Sequence, residues 1–178
     1  MSRVTTVFFD IDTQIDFMYP AGALYVPGAE RIVPIVAELN RKAPIVISTM
    51  CSHVEDDPEF QIYRPHCVQG TIGQQKPAAS LLNDPRRQIL FPKQALDVFS
   101  VPKLLPLLGQ LNADRYLVYG VVTEICVKCA AFGLLKTGKR VEIVTDAVKS
   151  LDEGAAAKML SEFVAAGGRL TSAAIGVS

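Results

Sequence analysis

The sequence has no excess of charge of either sign. Lys plus Arg and Asp plus Glu both number 18 among 178 residues, so the formal net charge is zero. Without a basic surplus, the chain lacks the charge that attracts nucleic acid or an anionic membrane surface. We therefore expect neither as a partner, and expect instead a small molecule or a second copy of the chain.

Long apolar runs and a disulfide framework are also missing. Nothing in the chain approaches the roughly 20 apolar residues that a membrane-crossing helix needs. The run from Met1 to Phe9 is short and lacks the small-residue cleavage site of a secretion signal. Four cysteines are too few to form a disulfide framework that stabilises a chain of this size. We expect reduced thiols and a cytoplasmic protein.

The length and composition favour one well-buried domain. With 49% hydrophobic and 20% charged residues, the chain can fill one core but is too short for two ordinary domains. We therefore treat residues 1–178 as a single domain.

Apolar runs bounded by polar or turn residues alternate with segments of helical spacing. The runs, which favour strands covered on both faces, are Val4–Phe9, Pro44–Ser48, Gln88–Phe91, Arg115–Val122, Val141–Thr145 and a short final Arg169–Ala174. The helical segments are Ala29–Asn40, Val101–Leu111, Glu124–Lys136 and Asp152–Ala166. This pattern predicts a Rossmann-like α/β fold, a three-layer α/β/α sandwich with a mostly parallel sheet of about six strands.

Residues with useful chemistry fall where four of these strands end. Asp12 ends the first strand, the segment Cys51–His53 follows the second, Lys93 follows the third and Cys126 follows the fourth. In an open parallel sheet, ligands bind outside the carboxyl ends of the strands. We therefore expect an acid, a metal-binding segment, a cation and a thiol along one rim.

Cys126 lies where a strand runs into the first turn of a predicted helix. The N–H groups and the dipole of a helix N-terminus favour a thiolate and can stabilise an oxyanion. The position alone also suits a small buried apolar residue, because free cysteines are commonly buried. A third interpretation is a redox pair, since Cys126 and Cys129 form a CxxC motif. The five or six parallel strands that the pattern predicts do not, however, fit a thioredoxin-like fold.

A catalytic role for Asp12 and Lys93 requires that both side chains lie close to Cys126 in the folded protein. A lone aspartate at a strand end is more often a cap or turn residue, and a lone lysine is usually solvated. Strand alternation places Asp10 and Asp12 on one face, with Asp12 nearer the rim.

His53 and His66 are the two histidines of the chain. Both fall in the segment 51–77, which shows no periodicity and carries an acidic run containing Asp57 and Glu59. Two imidazoles with a carboxylate or thiolate suit zinc or another divalent transition metal. The alternative is a pair of hydrogen-bonded loop histidines beside a solvated acidic run.

Three motifs, in order, resemble the nicotinamidase and isochorismatase-like cysteine hydrolase family along nearly the whole chain. The family's D-x-Q-x-D-F occurs as residues 12–17, and its catalytic lysine after the third strand matches Lys93. Its G-x-x-T-[DE]-x-C-V occurs as residues 120–127. The resemblance implies the isochorismatase-like α/β/α fold and a hydrolase of small carboxamides.

The resemblance also assigns roles to the catalytic residues. It implies that Asp12 accepts the thiol proton, that Lys93 stabilises the charged pair and that Cys126 attacks the amide carbonyl to form a thioester. The backbone N–H groups of Val122 and Cys126 would form the oxyanion hole, after a cis peptide bond between Val121 and Val122.

Nicotinamidases of this family bind a metal through D-x-H and H-C-V-x-G-T motifs. The second motif is intact as residues 66–71, but Cys51 stands where the first has aspartate. The resemblance therefore implies a divalent metal, with zinc as the expected ion and His53, His66 and Cys51 as ligands. Asp57 is the predicted further ligand, with Glu59 as the next choice.

The two histidines favour a nicotinamide-like substrate, because relatives acting on isochorismate or ureido compounds generally lack them. By resemblance, Phe17 and Tyr63 sandwich the substrate ring, and the reaction converts nicotinamide and water to nicotinate and ammonia in NAD salvage. Members often form symmetric oligomers, so we expect a homo-oligomer. The alternatives are hydrolysis of another small amide or a vinyl ether, and a non-catalytic relative that binds a metal or ligand.

Overall fold

Six parallel strands form one sheet in the order β3-β2-β1-β4-β5-β6. The strands are β1 (Thr6–Ile11), β2 (Ile45–Cys51), β3 (Gln88–Lys93), β4 (Arg115–Val121), β5 (Arg140–Lys149) and β6 (Arg169–Thr171). The coordinates are a computed structural model that describes residues 5–176. Val4, the predicted start of the first strand, and the two ends of the predicted domain 1–178 lie outside the described residues.

Helices cover both faces of the sheet. They are α1 (Ile15–Met18), α2 (Val33–Lys42), α3 (Leu104–Leu111), α4 (Lys128–Leu135), α5 (Glu153–Ala165) and α6 (Ala173–Gly176). One buried cluster joins the sheet to α3, α4 and α5, and a second joins its other face to α2. The predicted three-layer α/β/α sandwich with a parallel sheet is therefore confirmed. In the described residues, no helix is both long and apolar enough to cross a membrane.

Several predicted boundaries move for identifiable reasons. The predicted helix from Ala29 begins as a 3₁₀ turn (Ala29–Ile32), and α2 follows with Pro34 in its first turn, where proline needs no hydrogen-bond donor. The predicted helix from Glu124 begins instead as a π turn (Thr123–Val127), and α4 starts only at Lys128. Gly138 and Gly167 do adopt the left-handed φ expected after helix ends.

Three strands extend beyond their apolar runs, and β5 extends furthest, to Lys149 instead of the predicted Thr145. β2 continues to Cys51 and β3 continues to Lys93, and these two residues are register partners. Both were expected just beyond their strands. Apolar runs underestimate strand length here because the last residues of these strands are polar or small yet still pair within the sheet.

The strand order places a switch point between β1 and β4. From β1 the chain adds β2 and β3 on one side, and then β4, β5 and β6 on the other. Crossovers therefore lie on opposite faces and leave a crevice where the connections diverge. Asp12 follows β1 and Cys126 follows β4, so both lie at this crevice.

Gly120 permits the close pairing of β1 with β4 at this crevice. Its φ is 117°, a value that side-chain-bearing residues rarely adopt, and a Cβ there would overlap the Ile11 carbonyl. We expect Gly120→Ala to lower the free energy of unfolding by roughly 3 kcal/mol or more, measured by urea denaturation. The matched control is Gly109→Ala in α3, where the added methyl meets nothing. That variant should gain about 0.5–1 kcal/mol, and equal effects would contradict this explanation.

Candidate active site

Four buried side chains converge at the switch point of the sheet. Asp12 is the first residue after β1, Cys51 and Lys93 end β2 and β3, and Cys126 lies in the π turn after β4. Each is at most 7% exposed. The structure therefore brings together the acid, the cation and the thiol that the sequence places at separate strand ends.

Asp12 is held in an unusual backbone conformation. Its φ is 49°, in the left-handed region that aspartate tolerates better than most residues. Its N–H donates to the Thr49 carbonyl at 3.2 Å and to the Thr49 Oγ1 at 3.1 Å. The Thr49 hydroxyl in turn donates to Asp12 Oδ1 at 2.6 Å. Because Asp12 lies beyond β1 with a positive φ, the alternation that related it to Asp10 does not extend to it.

Lys93 connects the acid to two thiols. Its Nζ lies 2.8 Å from Asp12 Oδ2, 3.5 Å from Cys51 Sγ and 3.8 Å from Cys126 Sγ. It also donates to the Ala95 carbonyl at 3.0 Å. Cys126 completes the group, because its Sγ contacts the same Lys93 Nζ and its side chain lines the same pocket as Asp12.

The charges of this cluster define its resting state. Burial opposes ionisation of Asp12, but the Lys93 charge and the hydrogen bonds from Lys93 and Thr49 outweigh it and lower the pKa of Asp12. Burial also opposes a charged Lys93, yet Asp12 keeps the pKa of Lys93 well above its usual value. Burial raises the pKa of Cys126 well above normal. The resting cluster is therefore a carboxylate, an ammonium and a neutral thiol, with the base already next to the proton that it would remove.

The turn that carries Cys126 has the predicted cis peptide bond. The bond joins Val121 to Val122, and Val122 lines the same pocket as Cys126. Cys129 faces elsewhere, in a separate groove formed with residues of α4 and the turn Val98–Ser100. Both cysteines are free thiols, so the structure contains no CxxC disulfide.

A second cluster adjoins the first through Cys51. The ligand atoms of Cys51, His53 and His66 lie within 4.8 Å of one another, and all three residues are buried. A thiolate and two imidazoles are donors that zinc prefers, at bond lengths of about 2.0–2.3 Å. Burial and then the Asp12 charge raise the pKa of Cys51, so this thiol stays protonated until a cation displaces the proton.

The hydrogen bonds of the two histidines leave their Nε2 atoms facing a common space. His53 Nδ1 pairs with Asp57 Oδ2 at 3.0 Å, and His66 Nδ1 pairs with the Arg64 carbonyl at 2.7 Å. Because both partners accept hydrogen, each Nδ1 carries one and each Nε2 offers a lone pair. The buried Nε2 of His53 has no hydrogen-bond partner. An unpaired buried nitrogen of this kind fits a metal ligand.

Glu59, rather than Asp57, faces that space. Glu59 Oε1 lies 4.0 Å from His53 Nε2 and 3.8 Å from His66 Nε2. Asp57 contacts the opposite ring nitrogen of His53 and accepts from the Glu59 N–H at 2.9 Å. The structure thus places Asp57 where it orients a ligand, and it places the second-choice residue, Glu59, beside the ligands. Sequence spacing could not separate them, because it does not show that Asp57 caps the 3₁₀ helix Pro58–Gln61 while Glu59 lies inside that helix.

One pocket opens onto both clusters. It reaches Asp12, Cys126, Cys51 and His66, and both predicted substrate-binding aromatics, Phe17 and Tyr63, line it. Most of the remaining apolar wall was not predicted and comes from three loops and the π turn. These residues are Leu24, Val26, Leu96, Ile125 and Leu151. They carry no sequence signal, because an isolated leucine in a loop resembles any other apolar surface residue.

Two supporting residues were present in the first motif without an assigned role. Gln14 accepts from the Cys51 N–H at 2.7 Å and donates to the Cys51 carbonyl at 2.8 Å, so it fixes the end of β2. Asp16 accepts from the N–H of Cys67 at 2.7 Å and of Ala23 at 2.9 Å. These bonds tie the loop that follows β1 to the segment that carries His66.

The Asp12–Lys93 pair makes removal of one partner costly. We expect Lys93→Met to lower the free energy of unfolding by about 3–5 kcal/mol, because it leaves the Asp12 carboxylate buried without its cation. Urea denaturation measures this loss. Lys103→Met is the control, since Lys103 is exposed and its removal should leave the midpoint unchanged. Equal midpoints for the two variants would show that the pair is not buried as described.

Comparison with known proteins agrees with this architecture. Among curated proteins, the nicotinamidase of Acinetobacter baylyi is 25% identical, and the match covers 80% of this chain and 80% of that one. Among solved structures, the pyrazinamidase of Pyrococcus horikoshii in complex with zinc is 28% identical with a TM-score of 0.85, covering 94% of this chain and 99% of that one. A protein of L. infantum in complex with nicotinate is 26% identical with a TM-score of 0.85, covering 96% and 94%.

The family assignment comes from a match along almost the full sequence. Residues 6–175 match the Isochorismatase domain family. This range contains all six strands and every residue of the two clusters. The chain is therefore a member of the isochorismatase domain family.

Proposed function

We propose that the protein hydrolyses a small aromatic carboxamide, with nicotinamide as the leading substrate. The observation that carries this proposal is the shared pocket, in which a thiol beside a buried Asp–Lys pair lies within reach of a cysteine–histidine cluster. A nucleophile, a base and a separate site for a ring nitrogen are the three components that hydrolysis of nicotinamide requires.

The first half of the reaction transfers the acyl group to Cys126. Asp12 takes the thiol proton, and the sulfur attacks the amide carbonyl carbon, as the charge of Lys93 keeps the cluster neutral overall. The backbone N–H groups of Val122 and Cys126 stabilise the oxyanion. Asp12 then gives its proton to the amide nitrogen, the C–N bond breaks, and ammonia leaves a thioester.

The second half restores the thiol. Water loses a proton to Asp12 and attacks the thioester carbonyl, and the C–S bond breaks. The departing sulfur recovers a proton from Asp12, which regenerates the resting protonation. The carboxylic acid product passes its own proton to the released ammonia or to water and leaves as nicotinate. Asp12 thus works as acid and base in turn, which suits a carboxylate that shares the Lys93 ammonium with the thiol in the resting state.

Cys51, His53 and His66 would hold a divalent metal, for which zinc suits the donor set. When bound, the metal supplies a Lewis acid that holds the lone pair of a substrate ring nitrogen. Phe17 packs against His66 with ring centroids 5.3 Å apart, and Tyr63 lies 6.4 Å from it. The two aromatic residues therefore stand beside the ligands, where they can contact the faces of a flat substrate.

The wall of the pocket favours an uncharged substrate. Its described lining contains the carboxylates Asp12 and Glu59 but no arginine or lysine. A dicarboxylate such as isochorismate needs cationic partners, because burying an unpaired carboxylate is costly. The names of the similar proteins, a nicotinamidase, a pyrazinamidase and a complex with nicotinate, support the same choice.

Ammonia release from nicotinamide, compared with a panel of small amides and a vinyl ether, tests the substrate. We expect turnover of nicotinamide by the metal-loaded protein, and a fall of at least about a thousandfold in kcat for Cys126→Ala, because the nucleophile is removed. The matched control is Cys129→Ser, which should retain activity because Cys129 lies outside the pocket.

Each other outcome of these assays would indicate one specific alternative to the proposed function. Turnover of another compound but not of nicotinamide would indicate a different hydrolase of this family. Activity that survives Cys126→Ala would overturn the mechanism, and loss of activity in Cys129→Ser would indicate the redox pair. No turnover of any compound would indicate a non-catalytic relative.

Metal content of protein purified without added metal tests the second cluster. We expect about one zinc ion per chain, and loss of most of it in His66→Ala, because that variant removes one of the three closely spaced donors. Cobalt substitution should give a sulfur-to-metal charge-transfer band that disappears in Cys51→Ser. A band that persists in Cys51→Ser would exclude Cys51 as a ligand.

We propose that the protein is cytoplasmic, forms homo-oligomers and binds neither nucleic acid nor membrane. Zero net charge supports the lack of nucleic-acid and membrane partners. The four free cysteines support a cytoplasmic location, and the family resemblance supports a homo-oligomer.

A further inference from the structure

A second buried ion pair lies next to the catalytic cluster but outside the pocket. Lys76 Nζ is 3.1 Å from Asp10 Oδ2, and both side chains are fully buried. Neither residue lines the pocket. Lysine is among the residues least often buried, so the pair requires an explanation.

Thr13 closes this pair into a triangle. Lys76 Nζ donates to Thr13 Oγ1 at 2.9 Å, and the Thr13 hydroxyl donates to Asp10 Oδ1 at 2.6 Å. Thr13 is 1% exposed. Its hydroxyl therefore has a buried donor on one side and a buried acceptor on the other, which leaves the side chain one orientation.

Stability alone does not account for the triangle. Desolvation of two charges offsets most of their attraction, so a buried pair is often no more stable than apolar residues of similar volume. A retained pair of this kind is better explained by the geometry that it imposes.

The triangle adjoins the turn at Asp12, and the conformation of this turn is the geometry that the buried pair imposes. Asp12 has a positive φ, and the Gln14 N–H closes the turn by donating to the Asp12 carbonyl at 2.8 Å. Such a conformation persists only where the surroundings enforce it. Before the turn, Thr49 accepts a hydrogen bond from the Asp12 N–H. After Asp12, the triangle fixes the next residue, Thr13, through its side-chain hydroxyl.

The segment of Lys76 adds a second anchor to the same turn. The Gln75 carbonyl accepts from the Ile15 N–H at 2.8 Å, and the Gly73 carbonyl accepts from the Asp16 N–H at 3.0 Å. Lys76 is thus fixed relative to the residues that follow the turn, while Asp10 is fixed in β1 before it. The ion pair joins the two sides.

We propose that Asp10, Thr13 and Lys76 are positioning residues for the catalytic base, Asp12. The hydrogen bonds of the Thr13 hydroxyl to Lys76 and Asp10 fix the backbone next to Asp12 and thereby the position of the Asp12 carboxylate. This inference rests on the proposed amidase function. It predicts that loss of the hydroxyl displaces the Asp12 carboxylate from the Cys126 thiol without changing the walls of the pocket or the metal ligands. The proton transfers slow, whereas substrate binding is unchanged.

The far end of the same polar network provides a matched control. Asp10 Oδ2 also accepts from Ser48 Oγ at 2.9 Å and from Asn40 Nδ2 at 3.2 Å. Tyr119, fully buried, donates to Asn40 Oδ1 at 2.5 Å. Tyr119→Phe removes a buried hydrogen bond of this network without touching Thr13 or Lys76, so it reports the effect of lost stability alone.

The experiment compares kcat, KM, metal content and urea stability of the metal-loaded full-length protein. Thr13→Val should lower kcat by about 10- to 100-fold with KM within about twofold, because a small displacement of a catalytic group has an effect of that size. Thr13→Ser, which keeps the hydroxyl, should restore kcat to within about threefold of wild type. Tyr119→Phe should be destabilised and keep kcat within about twofold. Thr13→Ala, which also lacks the hydroxyl, replaces Thr13→Val if the latter does not fold.

The outcomes distinguish the two proposals. If wild type hydrolyses an amide but Thr13→Val and Tyr119→Phe lose kcat equally, or Thr13→Ser fails to recover it, the positioning role is wrong and the amidase function stands. Loss of metal or a raised KM in Thr13→Val would also overturn it. If wild type hydrolyses no amide, both the function and the inference that rests on it fail.

Discussion

The buried ammonium of Lys93 is the charge on which the rest of the site depends. Its Nζ lies within 3.8 Å of a carboxylate oxygen and two thiol sulfurs, so one cation faces all three side chains of the cluster that can carry a negative charge. Without it, burial would raise the pKa of Asp12 and leave the site without a base. The parallel pairing of β2 with β3 sets its position, because Lys93 and Cys51 are adjacent in register.

Cys51 belongs to both clusters and links their chemistry. Its sulfur lies 3.6 Å from Asp12 Oδ2 and is also a potential ligand beside His53 and His66. A thiolate formed there on metal binding would place a negative charge next to Lys93. The lysine that holds Asp12 ionised would then also stabilise the ligand, so the catalytic and metal-binding halves of the site share one cation.

Most of the fold and the convergence of the candidate catalytic residues followed from local patterns. Apolar runs separated by helical spacing predict a parallel sheet, and in such a sheet the residues after the strands must share one edge. The predicted meeting of Asp12, Lys93 and Cys126 needed no more than that rule. The π turn before α4 was missed because its residues have ordinary helical propensity, and the ends of β2 and β3 were missed because Cys51 and Lys93 are not apolar-run residues.

By itself, the sequence determined the layers, the sheet and the list of reactive residues, because hydrophobic periodicity and strand ends are local properties. Only the tertiary structure decided that Glu59 rather than Asp57 faces the two Nε2 atoms, since Asp57 caps the 3₁₀ helix Pro58–Gln61 and contacts the other ring nitrogen of His53. It likewise decided the role of Lys76, which lies 63 residues from Thr13 and acquires its partners only by folding. Contacts between residues so far apart in the sequence depend on how distant segments pack, and local sequence patterns do not predict them.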